Sequence, residues 1–287
     1  MPTGCSLNMM MDQMPDRVFD VGIAEQHAVT FAAGLAAQGM TPFCNIYSSF
    51  MQRAYDQVIH DVALQRLHVV MCLDRAGLVG DDGPTHHGVF DMAFFRSIPN
   101  LTLCAPMDEH ELRDMMFTAQ DPECGAIVIR YPRGVSVHPD WHNAMKKIEI
   151  GTGRKLREGH DVALLSIGHP GNDAMLAAEQ LQAKGVSAAV YDMRFVKPLD
   201  TKMLDEVARQ FDSVVTVEDG CQEGGFGSAV LEYWQEQHAT KGTAIPTMIR
   251  LGIPDIFVPH GPVPQLHADC HIDTDAIVDA ALKMLSC

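Results

Sequence analysis

No uninterrupted apolar stretch in the sequence approaches the roughly 18 residues a membrane-spanning helix needs. The N-terminal segment carries Asp12 and Asp16 where a secretory leader would place Lys or Arg ahead of an apolar run. Neither a spanning helix nor an export signal is therefore expected, and the chain reads as cytoplasmic. Basic residues are scarce, with 21 Lys and Arg against 37 Asp and Glu, a formal charge of −16. So acidic a chain repels polyphosphate backbones, which excludes general nucleic-acid binding and leaves any substrate phosphate to local arginines. The eight cysteines, at 5, 44, 72, 104, 124, 221, 270 and 287, include no C-x-x-C pair. Several lie inside apolar strands, so reduced thiols acting as small hydrophobes are expected. There is no internal repeat and no low-complexity tract; Met9-Met10-Met11 is only a local bias.

What is present suits two packed units. The chain has 287 residues, 47% of them hydrophobic, enough apolar surface for two cores. Apolar runs alternate with helical patterns in the manner of parallel α/β sheets. Strands are expected at Val18–Ile23, Met40–Asn45, His68–Leu73, Leu101–Ala105 and Ala126–Tyr131. Helices are expected after Glu25, over Ser49–Val62, and from Asp108, as N-cap, to about Gln120. Gly134–Lys147, with Pro139, two histidines and paired lysines, has the aperiodic chemistry of a linker. A second alternating unit follows, with strands at Val162–Ile167, Val186–Met193, Ser213–Glu218 and Thr247–Leu251 and a helix over Asn172–Lys184. The predicted fold class is α/β, with two parallel or mostly parallel sheet domains.

Three blocks carry chemistry. In the first, an apolar run meets Gly22-Ile23-Ala24-Glu25-Gln26-His27 and a helix of small residues that allows close backbone packing. Glu25 is the one carboxylate at its mouth, either complementing the helix dipole or held buried for use. The second block is Asn45-Ile46-Tyr47-Ser48-Ser49-Phe50-Met51-Gln52-Arg53, and the third runs from Asp74-Arg75 through Gly80-Asp81-Asp82-Gly83-Pro84-Thr85-His86-His87-Gly88. Their order and spacing, continued by Arg130-Tyr131-Pro132-Arg133-Gly134, resemble the 1-deoxy-D-xylulose-5-phosphate synthases, thiamine-diphosphate enzymes of the transketolase superfamily. The resemblance implies a pyrimidine-binding domain over residues 1–133, a linker over 134–150 and a transketolase-like C-terminal domain over 151–287. It also implies an N-terminally clipped first domain, because Met1-Pro2-Thr3-Gly4 matches a loop that follows that domain's first strand. In the family, Gly-Asp-Gly followed by an Asn holds the cofactor diphosphate and Mg²⁺. This sequence holds no such pair, so Mg²⁺ and diphosphate would be bound by an N-terminal domain on the same or another chain.

By resemblance, Glu25 is the acid that shares a proton with the cofactor's aminopyrimidine, Phe50 stacks on that ring, and Arg53 and Ile23 line its wall. Asp82 and His86 belong to the catalytic loop, His86 exchanging protons near neutral pH. Tyr47, Arg75 and Arg133 form the acceptor-phosphate site at strand carboxyl ends, where open α/β sheets bind ligands. The substrates implied are pyruvate, which loses CO₂, and glyceraldehyde 3-phosphate; the assembly implied is a homodimer. Two other clusters are read as structural. His267, Cys270 and His271 lack a fourth ligand and precede Asp273, an N-cap for the last helix, so no metal is expected there. Gly220–Ser228 has no phosphate-loop spacing and three neighbouring acids, and is expected to be a packing turn. Three functional classes follow: part of such a synthase, inactive alone; a β-type subunit of a split transketolase or 2-oxo-acid dehydrogenase; and a non-catalytic interaction module. The intact set Glu25, Phe50, Arg75, Asp82, His86 and Arg133 argues against the last.

Overall fold

The structure is a computed structural model describing residues 2–135, 137–138 and 142–286. Of the residues read above, Met1, Pro139 and Cys287 lie outside the described ones. Among the described residues, ten strands form: β1 Phe43–Tyr47, β2 Val70–Asp74, β3 Leu101–Cys104, β4 Ala126–Arg130, β5 Arg154–Arg157, β6 Val162–Ser166, β7 Ala188–Asp192, β8 Phe195–Lys197, β9 Ser213–Cys221 and β10 Thr247–Ile253. They make two five-stranded sheets, ordered β1-β2-β4-β3-β8 and β10-β9-β6-β7-β5. All pairings are parallel except β3 with β8 and β5 with β7, each at a sheet edge. The apolar runs of β2, β4, β6 and β7 are buried at every residue, as parallel strands covered by helices on both faces must be.

The register positions the site. β1 pairs with β2 so that Tyr47 lies opposite Asp74, and β2 pairs with β4 so that Leu73 lies opposite Arg130. The carboxyl ends of three strands, and the residues that follow them, thus converge at one edge of the first sheet. Helix Glu25–Ala37 covers this sheet through Val29, Ala32 and Ala33, whose small side chains permit the close approach expected. Two anticipated caps form: Asp108 accepts the Glu111 N–H at 2.8 Å, and Asp273 accepts the Ala276 N–H at 3.0 Å.

Three expectations need correction. Val18–Ile23 is not a strand. Among the described residues β1 has a single neighbouring strand, β2, and the 18–23 segment lies across a cleft of about 970 Å³ from β1's open edge. With no adjacent strand to satisfy it, the segment bonds locally, the Asp20 carboxylate accepting the Gly22 N–H at 2.9 Å with Gly22 at φ +74°. Ser49–Val62 is helical but not one α-helix. A short α-turn passes through 3₁₀ geometry into a π-helix at Val58–Ala63, so that Met51, Ala54, Val58 and Val62 are all fully buried. Finally, the cores are not wholly separate: the second half keeps one of its own around Val162, Leu181, Val217 and Ile277, but another is shared. One hydrophobic cluster runs from Val29 and Met71 under the first sheet to Tyr191, Val214 and Trp234 under the second. β8, contributed by the second half, completes the first sheet through Leu103↔Lys197 and Cys104↔Phe195.

Candidate active site at the carboxyl ends of the first sheet

Glu25 opens its helix and is 8% exposed at the mouth of the cleft, which Ile23, Tyr47 and Phe50 also line. Arg53, one helical stretch beyond β1, donates from Nη1 to Glu25 Oε1 at 3.1 Å. The Arg53 guanidinium lies over the Phe50 ring, 4.6 Å from its centroid. Phe50 stacks on Tyr47 at 5.4 Å, and the Tyr47 ring is covered by the Arg75 guanidinium at 4.0 Å. His86 meets Phe50 edge-on at 5.1 Å, and its Nδ1 is 2.9 Å from Thr85 Oγ1. Glu25, Arg53, Phe50, Tyr47, Arg75 and His86 therefore form one contiguous layer of rings and charges, with Ile23 exposed at its lip. Each cation–ring contact contributes about 0.5–2 kcal/mol according to its exposure.

The two arginines assigned to phosphate differ. Arg133 is half exposed and pairs with Asp82 at 3.7 Å, a loose pair of the kind worth under about 1 kcal/mol. Arg75 is engaged: Nη1 donates to Asp74 Oδ2 and to the Gly4 carbonyl, both at 2.9 Å, and the residue sits in the left-handed region at φ +61°. Asp82 faces Arg133 rather than His86, whose hydroxyl partner is Thr85. Burial pushes the Tyr47 hydroxyl and the Asp74 carboxyl upward, with Arg75 opposing both.

Beneath this layer lies a buried ionic chain. Arg130, the last residue of β4, is 2% exposed; it donates from Nε to Asp91 Oδ2 at 2.9 Å and from Nη1 to Asp219 Oδ1 at 2.5 Å. Asp91 accepts the Ser48 hydroxyl at 2.9 Å, and His169 Nδ1 stands 3.0 Å from Asp219 Oδ2. Burial alone would lower the Arg130 pKa, but Asp219 and Asp91 together hold it above the ordinary value. Burial likewise opposes ionisation of Asp219, and Arg130 and His169 outweigh it, keeping that carboxyl far below the usual range. The chain fixes Ser48 between Tyr47 and Phe50, and Arg130 just before Arg133. Sequence reasoning missed it, although the signal was there: charges terminate the largely apolar runs Ala126–Arg130 and Val214–Asp219, Arg130 in the first and Glu218-Asp219 in the second.

The clusters read as structural behave differently from a ligand site. Helix Val263–Asp269 ends before Cys270, and His271 turns left-handed at φ +56°, so the three side chains do not share a helical face. His267 instead stacks on His169 at 5.6 Å. Among the described residues, no group of three or more His, Cys, Asp or Glu is arranged to hold a metal. In Gly220–Ser228, Glu218 accepts the N–H groups of Phe226 and Gly227 at 2.8 and 2.9 Å, so the protein's own carboxylate occupies the helix N-terminus where a phosphate would bind. Among the described residues, no helix is long and apolar enough to cross a membrane.

This layout has known counterparts. Residues 2–136 match the family model of the transketolase pyrimidine-binding domain, and residues 151–277 that of the transketolase C-terminal domain. The chain is 59% identical over 278 residues to the 1-deoxy-D-xylulose-5-phosphate synthase of Cytophaga hutchinsonii, covering 96% of this chain and 43% of that protein. It is 57% identical over 284 residues to the synthase of Bacteroides thetaiotaomicron, covering 99% and 43%. It thus spans less than half the length of these relatives. A solved structure described as a split gene transketolase, inactive beta4 tetramer, superposes with a TM-score of 0.82 at 31% identity, covering 99% of this chain and 88% of that one. Matched in both of its halves and along nearly its whole length, the chain belongs to the transketolase family and is similar to the 1-deoxy-D-xylulose-5-phosphate synthases.

Proposed function

We propose that this chain supplies the pyrimidine-binding and C-terminal parts of a thiamine-diphosphate-dependent synthase that decarboxylates pyruvate and joins the remaining two carbons to glyceraldehyde 3-phosphate, giving 1-deoxy-D-xylulose 5-phosphate, a precursor for isoprenoid and thiamine biosynthesis. The observation carrying this reading is the contiguous layer Glu25–Arg53–Phe50–Tyr47–Arg75 with His86 at its edge. It fits the pyrimidine end of the cofactor, since a planar heterocycle needs an aromatic face and a carboxylate at its rim, and the layer offers both beside the cleft. When bound, the cofactor supplies the electron sink for the decarboxylation.

The chain's own residues do the rest. Glu25 holds a proton at the ring nitrogen; Arg53 keeps that carboxylate in place. His86 moves protons at the substrate oxygens near neutral pH. Arg133 exchanges its loose pair with Asp82 for the dianionic phosphate of the acceptor, a stronger charge-assisted partner. Arg75, locked by Asp74 and the Gly4 carbonyl, shapes the Tyr47 wall of that site. Mg²⁺ and the cofactor diphosphate are held by a Gly-Asp-Gly…Asn domain on the same or another chain, within a homodimer in the cytoplasm, and without that domain the chain is inactive. Assaying it with and without the diphosphate-binding part of an intact relative tests this: turnover only in the mixture is expected, and turnover by the chain alone would defeat it.

A second reading, a β-type subunit of a split transketolase or 2-oxo-acid dehydrogenase, is favoured by the 88% coverage of the split-gene structure. Ketose-phosphate donors used in place of pyruvate by the same mixture would select it.

A further inference from the structure

The loop joining β2 to the helix at Asp91 carries Asp82 and His86 and turns at three glycines. Glycines at 77, 80 and 83 take φ of +75°, +87° and +70°. Its neck is closed by a reciprocal backbone pair, Gly77 N–H to Gly88 O and Gly88 N–H to Gly77 O, both 2.8 Å. The next rung inward is made by a side chain, His87, which is 5% exposed. Its Nδ1 is 3.1 Å from the Val79 nitrogen, and its Nε2 is 3.2 Å from the Pro259 carbonyl oxygen in the second half of the chain. An amide N–H only donates and a carbonyl only accepts. Both bonds therefore form together in one state of the ring, neutral with its proton on Nε2. Burial holds the His87 pKa down, His86 beside it acts in the same direction, and the Pro259 and Val258 carbonyls oppose.

The same face of the loop is docked on the same segment. Leu78 and Val89 share a hydrophobic cluster with Ile253, Val258 and Leu266. The Gly261 N–H reaches the Gly80 carbonyl at 3.4 Å, and a Cβ on Gly83 would stand 3.2 Å from His260 Cβ.

We propose that His87 is a positioning residue: as the Nε2-protonated neutral imidazole it bolts the loop bearing Asp82 and His86 to residues 258–261, and so sets where those two side chains stand relative to Arg133 and Phe50. The catalytic consequence rests on the function proposed above; the bridge itself does not. His87 is adjacent to His86 but acts through it.

The test uses three variants of the full chain. His87→Asn keeps an acceptor where Nδ1 stood, His87→Gln keeps a donor where Nε2 stood, and His87→Phe keeps neither. Ring-nitrogen NMR of the unmodified chain near neutral pH should show a protonated Nε2 and an unprotonated Nδ1; the opposite tautomer, or a charged ring, overturns the proposal. Amide exchange at Val79 should accelerate about 3- to 10-fold in His87→Phe and His87→Gln, the worth of one such bond, and be restored by His87→Asn. Exchange at Gly83 and His86 should accelerate in His87→Phe and His87→Asn and be restored by His87→Gln. Equal exchange in all three variants overturns the proposal. In the complemented enzyme, kcat should follow the Gln rescue while the pyruvate KM stays unchanged. Losses that track thermal stability alone would reduce His87 to packing. The tautomer and exchange measurements need no cofactor, so failure of the functional reading leaves them decisive.

Discussion

Replacing Arg130 with Met tests the idea that one buried guanidinium joins the two halves of the molecule behind the site. Met fills most of the volume but removes the guanidinium from Asp91 and Asp219, with side chains 0% and 1% exposed, leaving the Ser48 hydroxyl on the first and His169 beside the second. At 2.9 and 2.5 Å and an effective dielectric constant of about 20, the two pairs are worth about 6 and about 7 kcal/mol of Coulomb attraction, much of it offset by the cost of desolvating the charges. Breaking such a pair from one side destabilises by about 3–5 kcal/mol. We therefore expect a loss of about 4 kcal/mol, against a typical total of about 5–15 kcal/mol. Because Arg130 ends β4 and Asp219 lies in β9, the loss falls on the contact between the sheets. Urea unfolding of a Trp141→Phe background, in which Trp234 reports the second sheet, should coincide with far-UV circular dichroism in the parent and separate in Arg130→Met. The deficit should also carry a sign in pH. Burial already raises Asp91 despite Arg130, and removing the guanidinium takes away the largest influence opposing burial at Asp219, so both carboxyls should be pushed upward; each then weakens the fold as pH rises above the ordinary 3.8, and the deficit should shrink toward pH 4. Asp91→Asn and Asp219→Asn added to Arg130→Met should recover most of the stability. A loss below about 1 kcal/mol, or a deficit independent of pH, would refute the reasoning.

Four further outcomes are expected. Glu25→Gln in the complemented enzyme should slow exchange of the cofactor's acidic carbon-bound proton by about 10²–10⁴-fold, the usual worth of a positioned acid or base, with little change in cofactor affinity measured by calorimetry; unchanged exchange would make Glu25 a helix-dipole carboxylate only. Arg133→Ala should raise the apparent constant for glyceraldehyde 3-phosphate about 10- to 100-fold while unphosphorylated glyceraldehyde is used as poorly as before, whereas Arg75→Ala should also lower the melting temperature, because it strips Asp74, Gly4 and Tyr47 of a shared partner. Glu218, raised by burial from 4.5 to about 7, binds its proton more tightly folded than unfolded, so its contribution is present below pH 4.5 and lost as pH rises to 7; Glu218→Gln should flatten that part of the stability–pH curve, by about 3 kcal/mol at most. Gly88→Ala places a Cβ 2.6 Å from Ser48 Cβ and still closer to the Arg75 carbonyl, so it should destabilise by well over 1 kcal/mol in chemical denaturation while Gly34→Ala, where nothing crowds the added methyl, is neutral or better.

The sequence by itself determined which segments are strands wherever an apolar run is buried on both faces, since β2, β4 and β6 need no partner-specific information to be recognised. It also determined the two caps, Asp108 and Asp273, whose chemistry is local, and the identity of the family, carried by the order of Glu25, Phe50, Asp82, His86 and Arg133 along the chain. Tertiary structure decided the rest for a physical reason: a ladder bond, a salt bridge or a buried charge depends on what stands opposite. Val18–Ile23 has the composition of a strand but, among the described residues, no strand beside it, and stays irregular. β8 is three residues long and exists because the edge of β3 lies beside it. Arg75 and Arg133 look equivalent in sequence, each just past a strand; only the fold places Asp74 and the Gly4 carbonyl against one and leaves the other loosely paired at 3.7 Å. Arg130 and His87, unremarkable in a linear reading, acquire their roles from Asp219 and Pro259, residues 89 and 172 positions away, because burial makes a polar group's partner obligatory while sequence distance costs nothing once the chain is folded.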